Sequence, residues 1–565
     1  MAATAEAQTA TTPEREGVKE TIESVVIALI LAFVFRAFVV EAFVIPTGSM
    51  APTLYGAHGT IICEDCGIEF AYGLRDLADN RKIRPVRANS GARCPNCNHA
   101  NSDLKTNDES LNAEKGDRIL VLKWPFDIGG KWLAPARWDV TVFKDPADGV
   151  TNFIKRLVGL PNEVLMIVDG DVYTVPVEEL SEEAVTSLDE IRHEKYELRA
   201  GLKLRSRLSS VADSVLDELS EKMTIARKTP QAQESLWFRV YDNDFPPQQH
   251  DPNQPDWLTD RGPSSGWTVT GRRMTFEDKG MPNDYIELTG KDIRADNAYN
   301  VHQHGDRPPP VADLRVRFVL TSRDTEGALH VRLEKLGRAF WATIHMDGRI
   351  TLAESDDVPM ASTSLMTSTR VAPFAPGKSV EISFENLDYR LELRIGGQLV
   401  LSSSDDPDSQ ARYGPDLKAL RRSTPQVTVP PQLYGQGGAF ELAHLAVDRD
   451  IYYYHNPSFR ALALNWAPRA GWASPDSPIL LRAHEYFMLG DNTAASKDSR
   501  LWDIPGKHLV ERGEAFQLGT VPEDQLIGKA FFVYWPSGYR LSWLPIPVIN
   551  RMGIIPDVGR MRWIR

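Results

Sequence analysis

Residues Ile45 to Leu54 read IPTGSMAPTL and directly follow an apolar run. The stretch holds one serine, Ser49, between a glycine and a methionine. Gly48 allows close backbone approach, and Pro46 and Pro52 stiffen both sides. A hydroxyl on so rigid a turn, just outside an apolar segment, suggests a nucleophile that works at a membrane surface. A Pro/Gly loop leaving a membrane anchor accounts for the same residues. The segments on either side decide between the two.

Upstream, Ile22 to Val40 reads IESVVIALILAFVFRAFVV, nearly the length a helix needs to cross a bilayer. Arg36 and Glu41 stand at its far end, where long side chains reach the headgroup level. Arg15 and Lys19 precede the run, and no Lys or Arg occurs from Val39 to Gly73. The positive-inside rule then predicts a cytoplasmic N-terminus, with everything after Glu41 outside. A cleavable signal peptide fits less well, since the basic n-region is poor and no clean cleavage site follows. A buried core helix conflicts with Arg36. Met1 to Gly17, rich in Ala, Thr and Glu, reads as a disordered tail.

The totals narrow the class. A chain of 565 residues predicts two to four domains. Hydrophobic content of 42% and charged content of 25% describe a globular protein rather than a multi-span one. A net charge of -13 argues against nucleic acid as a partner, because phosphate binding needs a basic face. The four cysteines form two CxxC pairs, Cys63/Cys66 and Cys94/Cys97. Two such knuckles can close a tetrahedral four-thiolate zinc site, which leaves no open position for chemistry. A pair of disulfides is the alternative outside the cytoplasm.

Downstream, DRILVLK (Asp117 to Lys123), WDVTVF (Trp138 to Phe143) and NFIKRLVGLPN (Asn152 to Asn162) read as strands of an antiparallel unit. Lys155 and Arg156 point to opposite faces of the third, so one of them should face inward. An inward lysine loses solvation, its pKa falls, and it becomes a usable base. An edge lysine that blocks aggregation is the plain reading. Val177 to Arg227 has helical periodicity and predicts two amphipathic helices around Gly201. From Leu236 to about Tyr454 short alternating runs recur (LRVRFVLTS, LHVRLEKL, FWATIHM, VEISFENL, YRLELRIGGQLVLS, FELAHLAV), the rhythm of a β-sandwich. His302 and His304 form an HxH with no third ligand in range and read as a surface loop. The last stretch holds YFMLGDNTAASKDSR (Tyr486 to Arg500), VPEDQLIGKAFFVYWPS (Val521 to Ser537) and an Arg-rich end (Arg540, Arg551, Arg560, Arg562, Arg565) that reads as a solvated tail.

Four of these segments, in this order after an apolar N-terminal run, resemble the type I signal peptidases. IPTGSMAPTL is similar to that family's nucleophile motif, GDRILVLK to its following strand, NFIKRLVGLPNE to its base motif, and LGDNTAASKDSR to its last motif. The resemblance implies a Ser-Lys dyad with Ser49 as nucleophile and Lys155 as general base. It makes Ser496 the residue that orients the lysine. Thr47 stands in for the usual serine of the oxyanion hole, and Asp491, Asp498, Arg500 and Arg156 become supporting charges. Ile45, Met50, Leu54, Phe153 and Ile154 are the implied lining of the substrate pocket. Thr493, Ala494 and Ala495 depart from the more polar residues usual there.

The resemblance further implies cleavage of signal peptides from exported preproteins, at the outer face of the cytoplasmic membrane, by a single-pass enzyme in contact with the lipid bilayer. It implies no catalytic cofactor; it does not cover the cysteine segment, where the two CxxC pairs lead us to expect structural zinc at Cys63, Cys66, Cys94 and Cys97. The expected fold is mainly β, an antiparallel signal-peptidase core with an N-terminal transmembrane helix, a small zinc-ribbon-like insertion and a large inserted β-sandwich with flanking helices. The map is a cytoplasmic tail (1–20), the membrane helix (21–41), the core in three parts (42–62, 103–176 and 456–565), the four-cysteine insertion (63–102), a helical insertion (177–235) and the sandwich-like insertion (236–455). Two other functions compete: a membrane-anchored glycan- or protein-binding sandwich with an inactive core, and a Ser-Lys protease dedicated to other targets.

Overall fold

The computed structural model describes residues 14–73, 92–101, 116–123, 134–199, 211–249, 254–300, 307–356, 365–405, 413–424, 426–455, 471–502, 505–536 and 557–565. The chain folds mainly as antiparallel β-sheet. One eight-stranded sheet draws its strands from both ends of the sequence. Its order is Val40–Val44, Arg118–Leu122, Leu526–Trp535, Val140–Lys144, Asn152–Gly159, Glu485–Leu489 and Val521–Pro522, with Arg562–Trp563 added beside Leu526–Trp535. Among the described residues Val40–Val44 is an edge strand, paired only to Arg118–Leu122. Asn152–Gly159 lies inside the sheet. Residues 152–156 all pair with Val140–Lys144, but Glu485–Leu489 reaches only Arg156, Leu157 and Gly159 on the other side. Among the described residues, one flank of residues 152–155 is therefore open.

The chain between Gly159 and Glu485 builds the other large sheets. A four-stranded sheet runs Thr224–Ile225, Asp171–Pro176, Glu163–Val168 and Ile479–Leu481. Beyond it lie an eight-stranded sheet centred on Leu314–Ser322 and Ala439–Arg449, and a seven-stranded sheet centred on Ala328–Lys335 and Gln432–Gln436. Period-two alternation sends Val316, Phe318 and Leu320 of one, and Leu329, Val331 and Leu333 of the other, into a single buried cluster. The expected runs emerge as strands with little adjustment; LRVRFVLTS is Leu314–Ser322. The Gly396–Gly397 pair splits YRLELRIGGQLVLS into Arg390–Ile395 and Gln398–Ser402. The two expected helices are Glu182–Arg199 and Asp213–Lys222, and their apolar faces (Ala184, Leu188, Ile191; Val215, Leu219) enter the same cluster.

Buried charge ties these layers together. Arg192 of the first helix grips Glu485 with two bonds of 2.7 Å. At the junction of the sheets, Lys228 meets Asp388 (3.2 Å) and Asp450 (2.8 Å), while Lys335 meets Asp313 (2.5 Å).

No helix among the described residues is long and apolar enough to cross a membrane. The N-terminal helix, Glu14–Phe38, is uncharged from Ser24 to Phe35, between Glu23 and Arg36. Other expectations need correction. The helix also begins within the supposed tail, at Glu14, while residues 1–13 lie outside the described set. Glu41 is a strand residue paired with Lys123 at 3.3 Å. The C-terminal end is no solvated tail: Arg562–Trp563 joins the first sheet, and Arg562 donates to Thr53 O at 2.7 Å. Arg540, Arg551, His302 and His304 lie outside the described residues.

The Arg192–Glu485 pair generates a stability prediction. Arg192→Met strands a buried carboxylate and is expected to cost about 3–5 kcal/mol in urea unfolding, with Arg192→Met/Glu485→Gln regaining most of it. An unchanged urea midpoint in the single variant would count against a charge-compensating role.

Candidate active site

The turn that carries Ser49 is set by its apolar neighbours. Ile45, Met50 and Leu54 sink into a cluster with Ile119, Val121, Val140, Val142, Ala530 and Val533. Thr47 is extended, Gly48–Met50 form one 3-10 turn, and Ala51 N closes it on Gly48 O at 3.0 Å. Ser49 is left half-buried above the strand Asn152–Gly159. Lys155 Nζ lies 2.6 Å from Ser49 Oγ and 2.9 Å from Ile154 O. The sequence therefore brings its two candidate catalytic groups into direct contact from 106 residues apart.

Lys155 is only 5% exposed. Burial pushes its pKa down; Asp498, Asp491 and Asp145 pull it back up, and the balance lies at about 8. Sequence reasoning expected one of Lys155 and Arg156 to face inward, and both are buried. The reason is that this strand is covered on both faces. Lys155 meets Ser49 on one side, and Arg156 meets Asp491 on the other.

Asp491 is clamped by Arg156 through Nε (2.8 Å) and Nη2 (2.7 Å), and Thr53 donates to it at 2.6 Å. A second fork pairs Arg500 with Asp498 at 2.9 and 2.6 Å, and Gly490 N donates to Asp498 at 2.9 Å. Burial raises the Asp498 carboxyl, but Arg500 and the Gly490 N–H more than offset it, so it stays below the usual carboxylate range. Ser496 is fully buried. Among the described residues its Oγ has no hydrogen bond of ordinary geometry, to Lys155 or otherwise, but it lies close enough to Asp498 to help lower that carboxyl. A β-carbon on Gly490 would sit 2.1 Å from Ser496 Oγ and 2.6 Å from Ser49 O, so only glycine lets these segments approach. Thr47 is exposed and makes no capping bond with its side chain.

Of the expected pocket lining, Ile45, Met50 and Leu54 are core residues with at most 3% exposure. Phe153 and Ile154 are half-buried, and the Phe153 ring centroid lies 5.6 Å from Lys155 Nζ. Sequence reasoning missed Thr53 and Asn492. Asn492 N donates to Ser49 O at 3.0 Å, and its side chain donates to Gly48 O at 2.9 Å. Its place in the Gly-Asp-Asn turn was the available signal.

The cysteines form a separate cluster. Cys63/Cys66 and Cys94/Cys97 sit in two similar hairpin turns, after His58–Ile62 and after Ala92–Arg93. All four are buried free thiols with their sulfurs within 4.8 Å of one another. Cys63 and Cys97 stand 3.5 Å apart, and Cys66 and Cys94 3.7 Å. Sulfurs tetrahedral around one zinc, each at about 2.3 Å, stand about 3.8 Å apart. The four thiols fit that group.

Comparison with known proteins follows this geometry. The family model described as "Signal peptidase, peptidase S26" matches residues 18–70 and 459–535, which include Ser49 and Ser496 but not Lys155. A Signal peptidase I of Pseudomonas fluorescens is 42% identical over 87 residues, 15% of this chain and 27% of that protein. Another, of Pseudomonas aeruginosa, is 38% identical over 85 residues, 14% of this chain and 26% of that protein. One from Rickettsia bellii is 24% identical over 151 residues, 27% of this chain and 37% of that protein. The chain thus spans about a quarter to a third of the length of these relatives, and over that span its resemblance to the type I signal peptidases holds. Among solved structures, the carbohydrate-binding module CBM66 from Bacillus subtilis is 11% identical, with a TM-score of 0.19, over 34% of this chain and 92% of that chain. The galectin LEC-6 of Caenorhabditis elegans is 13% identical, with a TM-score of 0.15, over 26% of this chain and 90% of that chain. TM-scores this low carry no argument.

The site predicts its own titration. In the folded protein Lys155, followed by NMR after isotopic labelling of its side chain, is expected to lose its proton near pH 8, against about 10.4 for an exposed lysine. A midpoint above 10 would mean that burial does not set its charge.

Proposed function

We propose that this chain is a serine endopeptidase of the type I signal-peptidase kind, which cleaves signal peptides from exported preproteins. The observation that carries the proposal is the 2.6 Å contact between Ser49 Oγ and a buried Lys155 Nζ whose pKa is lowered to about 8. A neutral lysine takes the Ser49 proton as Oγ attacks the scissile carbonyl. The Ser49 N–H and the Thr47 hydroxyl, if it turns toward the site, stabilise the oxyanion. Collapse breaks the C–N bond, Lys155 returns its proton to the leaving amine, and the acyl group stays on Ser49. Lys155 then deprotonates a water that releases the second product. Ser496, Asp498 and Arg500 bound the space in which Lys155 moves, and Arg156 with Asp491 fixes its strand.

The open flank of residues 152–155 and the outer edge of Val40–Val44 can each pair with an extended peptide, which suits a substrate read through its main chain. The apolar side chains exposed all round the N-terminal helix (Ile22, Val25, Ile27, Leu29, Ile30, Phe33) support work at a lipid bilayer, where a membrane-bound substrate is locally concentrated. The inserted sheets form a sandwich on this reading. The four cysteines hold one structural zinc, which adds rigidity and no chemistry because all its positions are filled by sulfur.

Ser49→Ala and Lys155→Ala are each expected to lower preprotein cleavage in detergent or liposomes by about a thousandfold or more while the fold persists. Near-normal cleavage by either variant would overturn the dyad. Because the protonated lysine cannot accept a proton, cleavage by the intact protein should rise with pH through about 8 and then level. Metal analysis of purified protein should find close to one zinc per chain, reduced in Cys63→Ser; a metal-free, fully oxidised sample would support disulfides instead.

A further inference from the structure

We propose that Tyr299 and Asn300 are positioning residues for the Ser49 turn, supplied by a loop between strands of the two large sheets and not by the sheet that carries the dyad. The inference rests on the Ser49–Lys155 reading. The loop follows Asp284–Thr289 of the seven-stranded sheet and precedes Leu314–Ser322 of the eight-stranded one, and Ala298–Asn300 forms a 3-10 turn within it.

Tyr299 is 8% exposed. Its hydroxyl donates to Ala57 O at 2.9 Å, and its ring stacks on Tyr55 with centroids 6.1 Å apart at 28°. A β-carbon on Gly48 would lie 1.8 Å from the Tyr299 ring. The ring therefore fills the place of the missing side chain next to the nucleophile. Asn300 exchanges two amide bonds with Asn492, at 2.7 and 2.8 Å. Asn492 in turn donates from its side chain to Gly48 O (2.9 Å) and from its backbone to Ser49 O (3.0 Å). Asn297 donates to Ala51 O at 3.2 Å and accepts from Tyr299 N at 3.0 Å.

The peptide planes on both sides of Ser49 are thus held by groups outside the turn, and two of those holds trace to this loop. Fixing the planes fixes the direction of Ser49 Oγ toward Lys155 and of the Ser49 N–H toward a developing oxyanion. Neither Tyr299 nor Asn300 touches those atoms; they act through Gly48 and Asn492. Misplacing a reacting group by an ångström can cost about a hundredfold in rate. Substrate pairing along the strand edges does not use these contacts, so the loss should fall on kcat.

The test is steady-state cleavage of a signal-peptide substrate by the full-length protein, with kcat and KM measured separately and folded fraction followed by thermal melting. Tyr299→Ala and Asn300→Ala should each lower kcat per folded molecule about tenfold to a hundredfold with KM within about twofold. Tyr299→Phe keeps the ring over Gly48 and should retain most of kcat. Wild-type kcat in both alanine variants would overturn the proposal, as would a loss in KM alone or one fully explained by unfolded protein. Ser49→Ala runs alongside: cleavage surviving in that variant overturns the dyad itself, and the positioning role with it, whereas its inactivity beside fully active Tyr299→Ala and Asn300→Ala refutes the positioning role alone.

Discussion

The carboxylate of Asp491 holds three distant stretches of chain to one another. Arg156 grips both of its oxygens from the middle of the base strand, and Thr53 donates to it from the end of the nucleophile turn. Asp491 itself belongs to the last motif. Because Arg156 follows Lys155 directly, clamping the guanidinium also fixes the lysine along its strand, on the opposite face. Neither member of the Arg156–Asp491 pair is exposed to solvent. Such a pair adds little net stability over an apolar one, yet losing one partner leaves a buried charge uncompensated. Its contribution is therefore one of geometry: Ser49 and Lys155 are held at contact distance by an interaction that does not take part in that contact.

The same segment sets the charge on Lys155 through opposed effects. Burial favours the neutral amine, and Asp498, Asp491 and Asp145 oppose it. Arg500, paired with Asp498, adds to the lowering, so that fork gives structural grip while offsetting part of its own carboxylate's pull on Lys155.

Much of the fold was legible in the sequence because it rests on local periodicity. Leu314–Ser322 matches its expected run residue for residue, and the helices Glu182–Arg199 and Asp213–Lys222 fall where the 3.6-residue pattern puts them. Ser49 and Lys155 were legible through a motif order, and their contact agrees with it. What escaped was long-range. Nothing around Tyr299 announces a partner 242 residues earlier, nothing around Asn300 one 192 residues later, and Arg562 reaches Thr53 across 509 residues. Ile45, Met50 and Leu54 suggested a pocket because they are apolar and flank the serine, but the same property buries them as the anchors of the turn.

The 438 residues between Thr53 and Asp491 have a consequence in time. A ribosome adds about 5–20 residues per second, so roughly 20–90 s separate the emergence of the nucleophile turn from that of its clamp. During that interval Ser49 has neither the Asp491 bridge nor the Asn492 bonds that hold its backbone. The contacts that hold the Ser49 turn against the strand of Lys155 are thus the last of the site to form as the chain is synthesised.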